Sequence, residues 1–149
     1  MCIRDSSEAM RSAGLGSQVL IAQFLRGGVN QGPNGSMNLC GRLEWLRPAI
    51  ETCLPEQLKE EDLSLKRKYQ EKAIKELWEF CKKRLFEKNL DKIVLDEIGM
   101  AINLGFIEES DLISMINNRP SFTDIIITGP SIPPKVIEMA DQITELRCN

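Results

Sequence analysis

The chain has 149 residues, 42% of them hydrophobic, which suffices for one packed domain and is too short to favour two. Its 19 basic and 22 acidic residues leave a net charge of −3, so it lacks the basic surface that nucleic-acid binding requires. It has no histidine, which excludes Ser-His and Cys-His nucleophile systems, histidine general bases and histidine-ligated metals.

In chain order, Ser7 to Gly16 predicts the end of a helix, with Ala9, Met10 and Ala13 on one face and glycine as the stop. Val19 to Phe24 is an apolar run suited to a strand buried on both faces of a parallel sheet. Glycine, proline and asparagine dominate from Gly27 to Gly41, which reads as a long irregular loop of the kind that often carries function. Leu43 to Leu46 can form a short strand, although Pro48 and Pro55 prevent any regular continuation of it.

Leu63 to Phe86 is the clearest helix, with Tyr69, Ala73, Leu77, Ile74, Trp78, Cys81 and Leu85 spaced by threes and fours among charged residues. Asp91 to Leu95 is an apolar strand running into Asp96-Glu97, with a helix through Leu104 behind it. Glu108 to Asn118 carries a helical stripe of Leu112, Ile113, Met115 and Ile116, and Asp124 to Ile127 is a β-branched strand stopped by Thr128-Gly129-Pro130. Pro133-Pro134 opens a short helix toward Ala140, and Ile143 to Leu146 can close the chain as a strand. Connections of helical length between strands argue an α/β fold with a doubly wound, mainly parallel sheet.

Ligands of such sheets gather beyond the carboxyl ends of the strands, so the residues just after each strand are the candidates. An apolar run ending in Asp96-Glu97 suits Mg²⁺, a hard cation that takes carboxylate oxygens together with phosphates and water; the plainer alternative is an acid capping the next helix. Thr128-Gly129 either lets a nucleotide approach closely or is only a turn. Arg26, after Gln23-Phe24-Leu25, either meets phosphate or is simply solvated. Trp45 and Trp78 read as packing residues, and Lys66-Arg67-Lys68 and Lys82-Lys83-Arg84 as solvated helix faces. The five cysteines, Cys2, Cys40, Cys53, Cys81 and Cys148, form no C-x-x-C pair, which disfavours zinc and a disulfide framework and fits a reducing cytoplasm. No apolar run reaches the roughly 18 residues of a membrane span, and the first residues lack a signal-peptide core, so a soluble cytoplasmic protein is expected.

Taken together, the segments resemble the ATP:corrinoid adenosyltransferases of the P-loop type. Arg11-Ser12-Ala13-Gly14-Leu15-Gly16 is similar to the family's R-A-x-G-x-G, Gln23-Phe24-Leu25-Arg26-Gly27 to Q-F-[IL]-K-G, and Val94-Leu95-Asp96-Glu97 to its strand-final D-E. Asn118-Arg119-Pro120, Ile127-Thr128-Gly129 and Ala140-Asp141-Gln142-Ile143-Thr144-Glu145-Leu146 come next in the family's order. The resemblance implies a P-loop NTPase-type fold over residues 7–149 and transfer of the 5′-deoxyadenosyl group of ATP to Co(I) of a corrinoid, in cobalamin biosynthesis or salvage. The alternative on the same fold is a nucleotide-binding regulatory protein without adenosyl transfer.

The resemblance also implies ATP, Mg²⁺ and a corrinoid as ligands, an electron donor such as a flavoprotein as partner, and a possible homodimer. Glu97 would be the Mg²⁺-side carboxylate with Asp96 supporting it. Arg11, Thr128 and Gly129 would lie at the nucleotide, and Gln23 and Arg26 on the corrinoid or phosphate side. No protein nucleophile is implied, because the cobalt itself attacks. Two departures stand out. The family's G-N-G-K-G-K-T-T loop is expected just before Ser7, yet counting back from Arg11 places Met1 and Cys2 where its last lysine and first threonine belong. The expectation is therefore that residues 1–6 are foreign, that a first strand and phosphate loop are missing, and that these 149 residues bind Mg-ATP weakly or not at all and are inactive by themselves. Pro130 stands where many members carry arginine.

Overall fold

The computed structural model describes residues 3–27, 32, 37–39, 41–50, 60–87 and 89–145. Its elements are α1 (Ile3–Gly14), β1 (Val19–Gln23), β2 (Met37–Leu39), β3 (Leu43–Leu46), α2 (Glu60–Leu85), β4 (Lys92–Asp96), α3 (Ile98–Asn103), α4 (Glu109–Asn117), β5 (Asp124–Thr128) and α5 (Pro134–Glu138). The five strands form one sheet in the order β2-β3-β1-β4-β5. Strands β3, β1, β4 and β5 are parallel, while β2 runs antiparallel to β3 along the edge. The α/β class and mainly parallel sheet expected from the sequence are thus present, and their carboxyl ends share one rim.

Alternation along the strands divides the core in two. Leu20 and Ala22 of β1 with Ile93 and Leu95 of β4 face the larger cluster, built from Ile74, Leu77, Trp78, Cys81 and Leu85 of α2, Ala101 of α3, Leu112 and Met115 of α4 and Val136 of α5. Val19, Ile21, Leu43 and Val94 point the other way, against Ala9 and Ala13 of α1. The small α1 residues let that helix lie close to the sheet, and Lys92 of β4 fixes its position by donating to the Ser12 hydroxyl at 3.0 Å.

Three expectations are corrected. The segment from Gly27 to Gly41 contains β2, whose Met37 and Leu39 pair with Trp45 and Leu43; much of the rest of that loop, with Cys2, Cys40, Cys53 and Cys148, lies outside the described residues. Ile143 to Glu145 form no strand, and Leu146 lies outside the described residues; Ile143 is 63% exposed and its neighbours are exposed too, so nothing buries the run. Tyr69 is 70% exposed and is not part of the core. The 26 residues of α2 extend roughly 39 Å, more than twice the roughly 17 Å of a five-residue strand, so only its second half has sheet to cover.

The basic cluster at the end of α2 is also more than a solvated face. Lys82 donates to Asp111 of α4 at 2.9 Å, where Trp78 Nε1 donates to the same oxygen at 2.6 Å, and Arg84 Nε donates to Glu44 of β3 at 3.2 Å. Partial burial opposes ionisation of Asp111, but the Lys82 and Trp78 hydrogen bonds and the Lys82 charge outweigh it and hold its carboxyl below the usual range. A lowered pKa stabilises the fold above the unfolded value of about 4, and that contribution disappears as pH falls through the folded value. Asp111→Asn should therefore lower the urea midpoint at pH 7 and narrow its difference from the parent at pH 2–3.

Candidate functional site at the carboxyl rim

The register aligns Gln23 of β1 with Asp96 of β4, and Asp96 with Thr128 of β5. All three follow the alternation of Ile21, Val94 and Ile126, so they emerge on the α1 face at the carboxyl ends of three adjacent strands. Trp45 and Arg47 extend this row from β3. Trp45 Nε1 and Arg47 Nε donate to Gln23 Oε1 at 3.0 and 2.8 Å. Gln23 Nε2 donates to Asp96 Oδ2 at 2.8 Å, and the Thr128 hydroxyl donates to Asp96 Oδ1 at 2.7 Å. Two donors on one side and a carboxylate on the other fix which end of the Gln23 amide is oxygen.

Burial makes this row consequential. Gln23 is 0% exposed and Asp96 3%, and an unpaired polar group at such depth costs about 1–3 kcal/mol. Both oxygens of Asp96 are taken by protein donors. Glu97 differs: it is half-buried, its carboxylate caps no helix amide, and it has no side-chain partner among the described residues. Glu97 thus occupies the N-cap position of α3 without a side-chain cap hydrogen bond, which leaves the helix dipole as the capping contribution.

Glu97 is presented by an unusual backbone. Its φ of 62° lies in the left-handed region, a rare state for a residue with a β-carbon, and its amide donates to Thr128 O at 2.9 Å. Gly129, at φ +107°, packs so closely that a β-carbon there would stand 2.9 Å from Glu97 Cα, and one at Gly99 would stand 2.6 Å from Ser131 O. The segments after β4 and β5 thus interlock backbone to backbone, which only glycine permits.

The expected site residues fall into two groups. Gln23, Asp96, Glu97, Thr128 and Gly129 converge at the rim. Arg11 pairs instead with Glu8 at 3.2 Å, on the exposed side of α1 in its last turn, next to Ser12, which meets the start of β4. Arg26 is exposed in the segment after β1 and has no hydrogen bond within the described residues. The contributions of Trp45 and Arg47 were not anticipated. Arg47 is the first residue after β3, so the strand-end rule that singled out the others also applies to it; Pro48 and the shortness of β3 obscured that end.

Among the described residues no group of three or more Cys, Asp or Glu is placed to hold a metal ion. One free carboxylate is nonetheless in keeping with Mg²⁺, which is commonly held through one or two carboxylates, with substrate phosphates and water filling its octahedron. Among the described residues no helix is long and apolar enough to cross a membrane.

The family model for ATP:corrinoid adenosyltransferase BtuR/CobO/CobP matches residues 7–149, and the chain belongs to that family. It is 29% identical over 141 residues to the corrinoid adenosyltransferase of Escherichia coli K12, covering 93% of this chain and 66% of that protein. Corrinoid adenosyltransferase CobA of Salmonella typhimurium is 30% identical over the same shares of each chain, and a corrinoid adenosyltransferase of Pseudomonas aeruginosa is 30% identical over 46% of this chain and 34% of its own. The chain thus spans just under two thirds of the length of the first two relatives.

The rim makes two demands that substitutions can test. Gly129→Ala should destabilise the fold by about 2 kcal/mol or more, through positive φ and collision with Glu97, read as a lower urea midpoint. Thr128→Val, which removes one donor to Asp96 at nearly constant shape, should cost about 1–3 kcal/mol by the same measurement.

Proposed function

We propose that this chain forms part of an enzyme that transfers the 5′-deoxyadenosyl group of ATP to the Co(I) of a corrinoid. The observation that carries the proposal is the juxtaposition at the rim of a fully satisfied Asp96 and a Glu97 carboxylate with no partner among the described residues, in a chain of this family. In the reaction the reduced cobalt supplies the electron pair, a Co–C5′ bond forms, the C5′–O bond breaks, and triphosphate leaves with the bonding pair. No protein nucleophile or general base is needed, in keeping with a chain without histidine.

The protein's task is then alignment and electrostatics. Glu97 would hold Mg²⁺, which when bound neutralises charge on the departing triphosphate. Asp96 would act on Glu97 by anchoring the end of β4 through Gln23 and Thr128. Gly129, whose missing side chain makes room for the Glu97 turn, would lie beside the nucleotide together with Thr128, and Arg26, just after β1, would face a corrinoid or phosphate. Arg11, beside the start of β4 and a strand's length from this rim, would contact a nucleotide phosphate only by leaving Glu8 and only if the phosphates extend toward the amino ends of the strands. Cobalamin biosynthesis and salvage both accommodate the reaction, in the cytoplasm and with a flavoprotein as electron donor, and a homodimer is one assembly open to it.

A nucleotide-binding regulator using the same rim without adenosyl transfer makes a different prediction. Full-length protein given Mg-ATP and a chemically reduced corrinoid should form a light-sensitive cobalt–carbon product, and Glu97→Gln should lose most of that activity, by about tenfold or more. ATP binding or hydrolysis without the product would favour the regulator.

A further inference from the structure

We propose that Arg47 contacts a substrate at this rim, setting its guanidinium against an anionic oxygen group, either the polyphosphate of the nucleotide or a carboxylate side chain of the corrinoid. The proposal deepens the adenosyltransferase reading and rests on it. Arg47 directly follows β3, on the α1 face by alternation from Leu43 and Trp45. Its Nε donates to Gln23 Oε1 at 2.8 Å, its guanidinium lies 5.5 Å from the centre of the Trp45 ring, and its carbonyl accepts the Gly32 amide at 2.7 Å.

These restraints fix one nitrogen and the plane of the fork while leaving Nη1 and Nη2 without a partner among the described residues. A guanidinium prepared in this way loses little further freedom when an oxyanion docks against its paired donors. Gln23 does not need a cation for its own sake. Trp45 Nε1 already supplies its oxygen with a donor, and a neutral side chain would avoid desolvating a charge. Across the rim stand the carboxylates of Asp96 and Glu97, which repel anions unless a cation intervenes. Arg47 is the cation tied into the hydrogen-bonded row, and it stands about two strand spacings, roughly 10 Å, from β4.

The test uses full-length protein, with Arg47→Met and Arg47→Lys, titrated separately with inorganic triphosphate, Mg-ATP, and corrinoids with and without free carboxylates. Arg47→Met should weaken one class about tenfold or more: triphosphate and ATP if the anion is the polyphosphate, or only the carboxylate-bearing corrinoid if it lies there. Arg47→Lys should fall between, because it keeps the charge and loses the fork. A purely structural role lowers the urea midpoint and leaves all four dissociation constants within about twofold of the parent, which would overturn the proposal. If Arg47→Met does not fold, parental affinities in a folded Arg47→Lys overturn it equally. A parent protein that forms the cobalt–carbon product alongside an unaffected Arg47→Met refutes this inference alone, whereas a parent that binds none of the ligands refutes the functional reading with it.

Discussion

The rim of this sheet depends on one buried carboxylate. Asp96 is almost wholly removed from water, and its burial is tolerable only because strands on both sides of β4 aim donors at it: Gln23 from β1 and Thr128 from β5. Gln23 is held in turn by Trp45 and Arg47 from the β3 side. Four parallel strands are thereby locked in register at the end where a ligand would approach, by side chains as well as by the backbone ladder. Since a buried network is costly when partly satisfied, each member constrains its neighbours, and the row behaves as a unit.

That constraint separates the roles of two adjacent acids. Asp96 commits its oxygens inside the protein. Glu97, one residue on, sits where the chain leaves the strand in a left-handed turn, and Gly129 leaves room for that turn. A strained residue held by well-packed surroundings is a common arrangement where a side chain must be presented to a ligand. The larger apolar cluster on the opposite face, with α2, α3, α4 and α5, supplies the rigidity that sustains such a turn.

Much of this was legible in the sequence because it rests on local pattern. Apolar runs of strand length ending in Asp96-Glu97, Thr128-Gly129 and Gln23 marked three carboxyl ends, and family motifs placed them in order. The row linking them was not legible, since it arises from strand order and register, which pair residues 23, 96 and 128 from distant parts of the chain. Strand β2 escaped notice because three residues within a glycine-rich stretch take their conformation from pairing with β3. Tyr69 keeps the helical periodicity of α2 yet stays exposed, because that periodicity continues beyond the sheet available to bury it. Arg47 is not legible as a strand end because β3 is only four residues long and Pro48 follows directly.

The division of labour between the two acids can be read most directly from Mn²⁺ binding, by electron paramagnetic resonance, to full-length protein with ATP present. Glu97→Gln should weaken Mn²⁺ binding by about tenfold or more at an unchanged urea midpoint, while Asp96→Asn should chiefly lower that midpoint. Parental Mn²⁺ affinity in a folded Glu97→Gln protein, with the loss appearing instead in an equally stable Asp96→Asn, would contradict this division of labour.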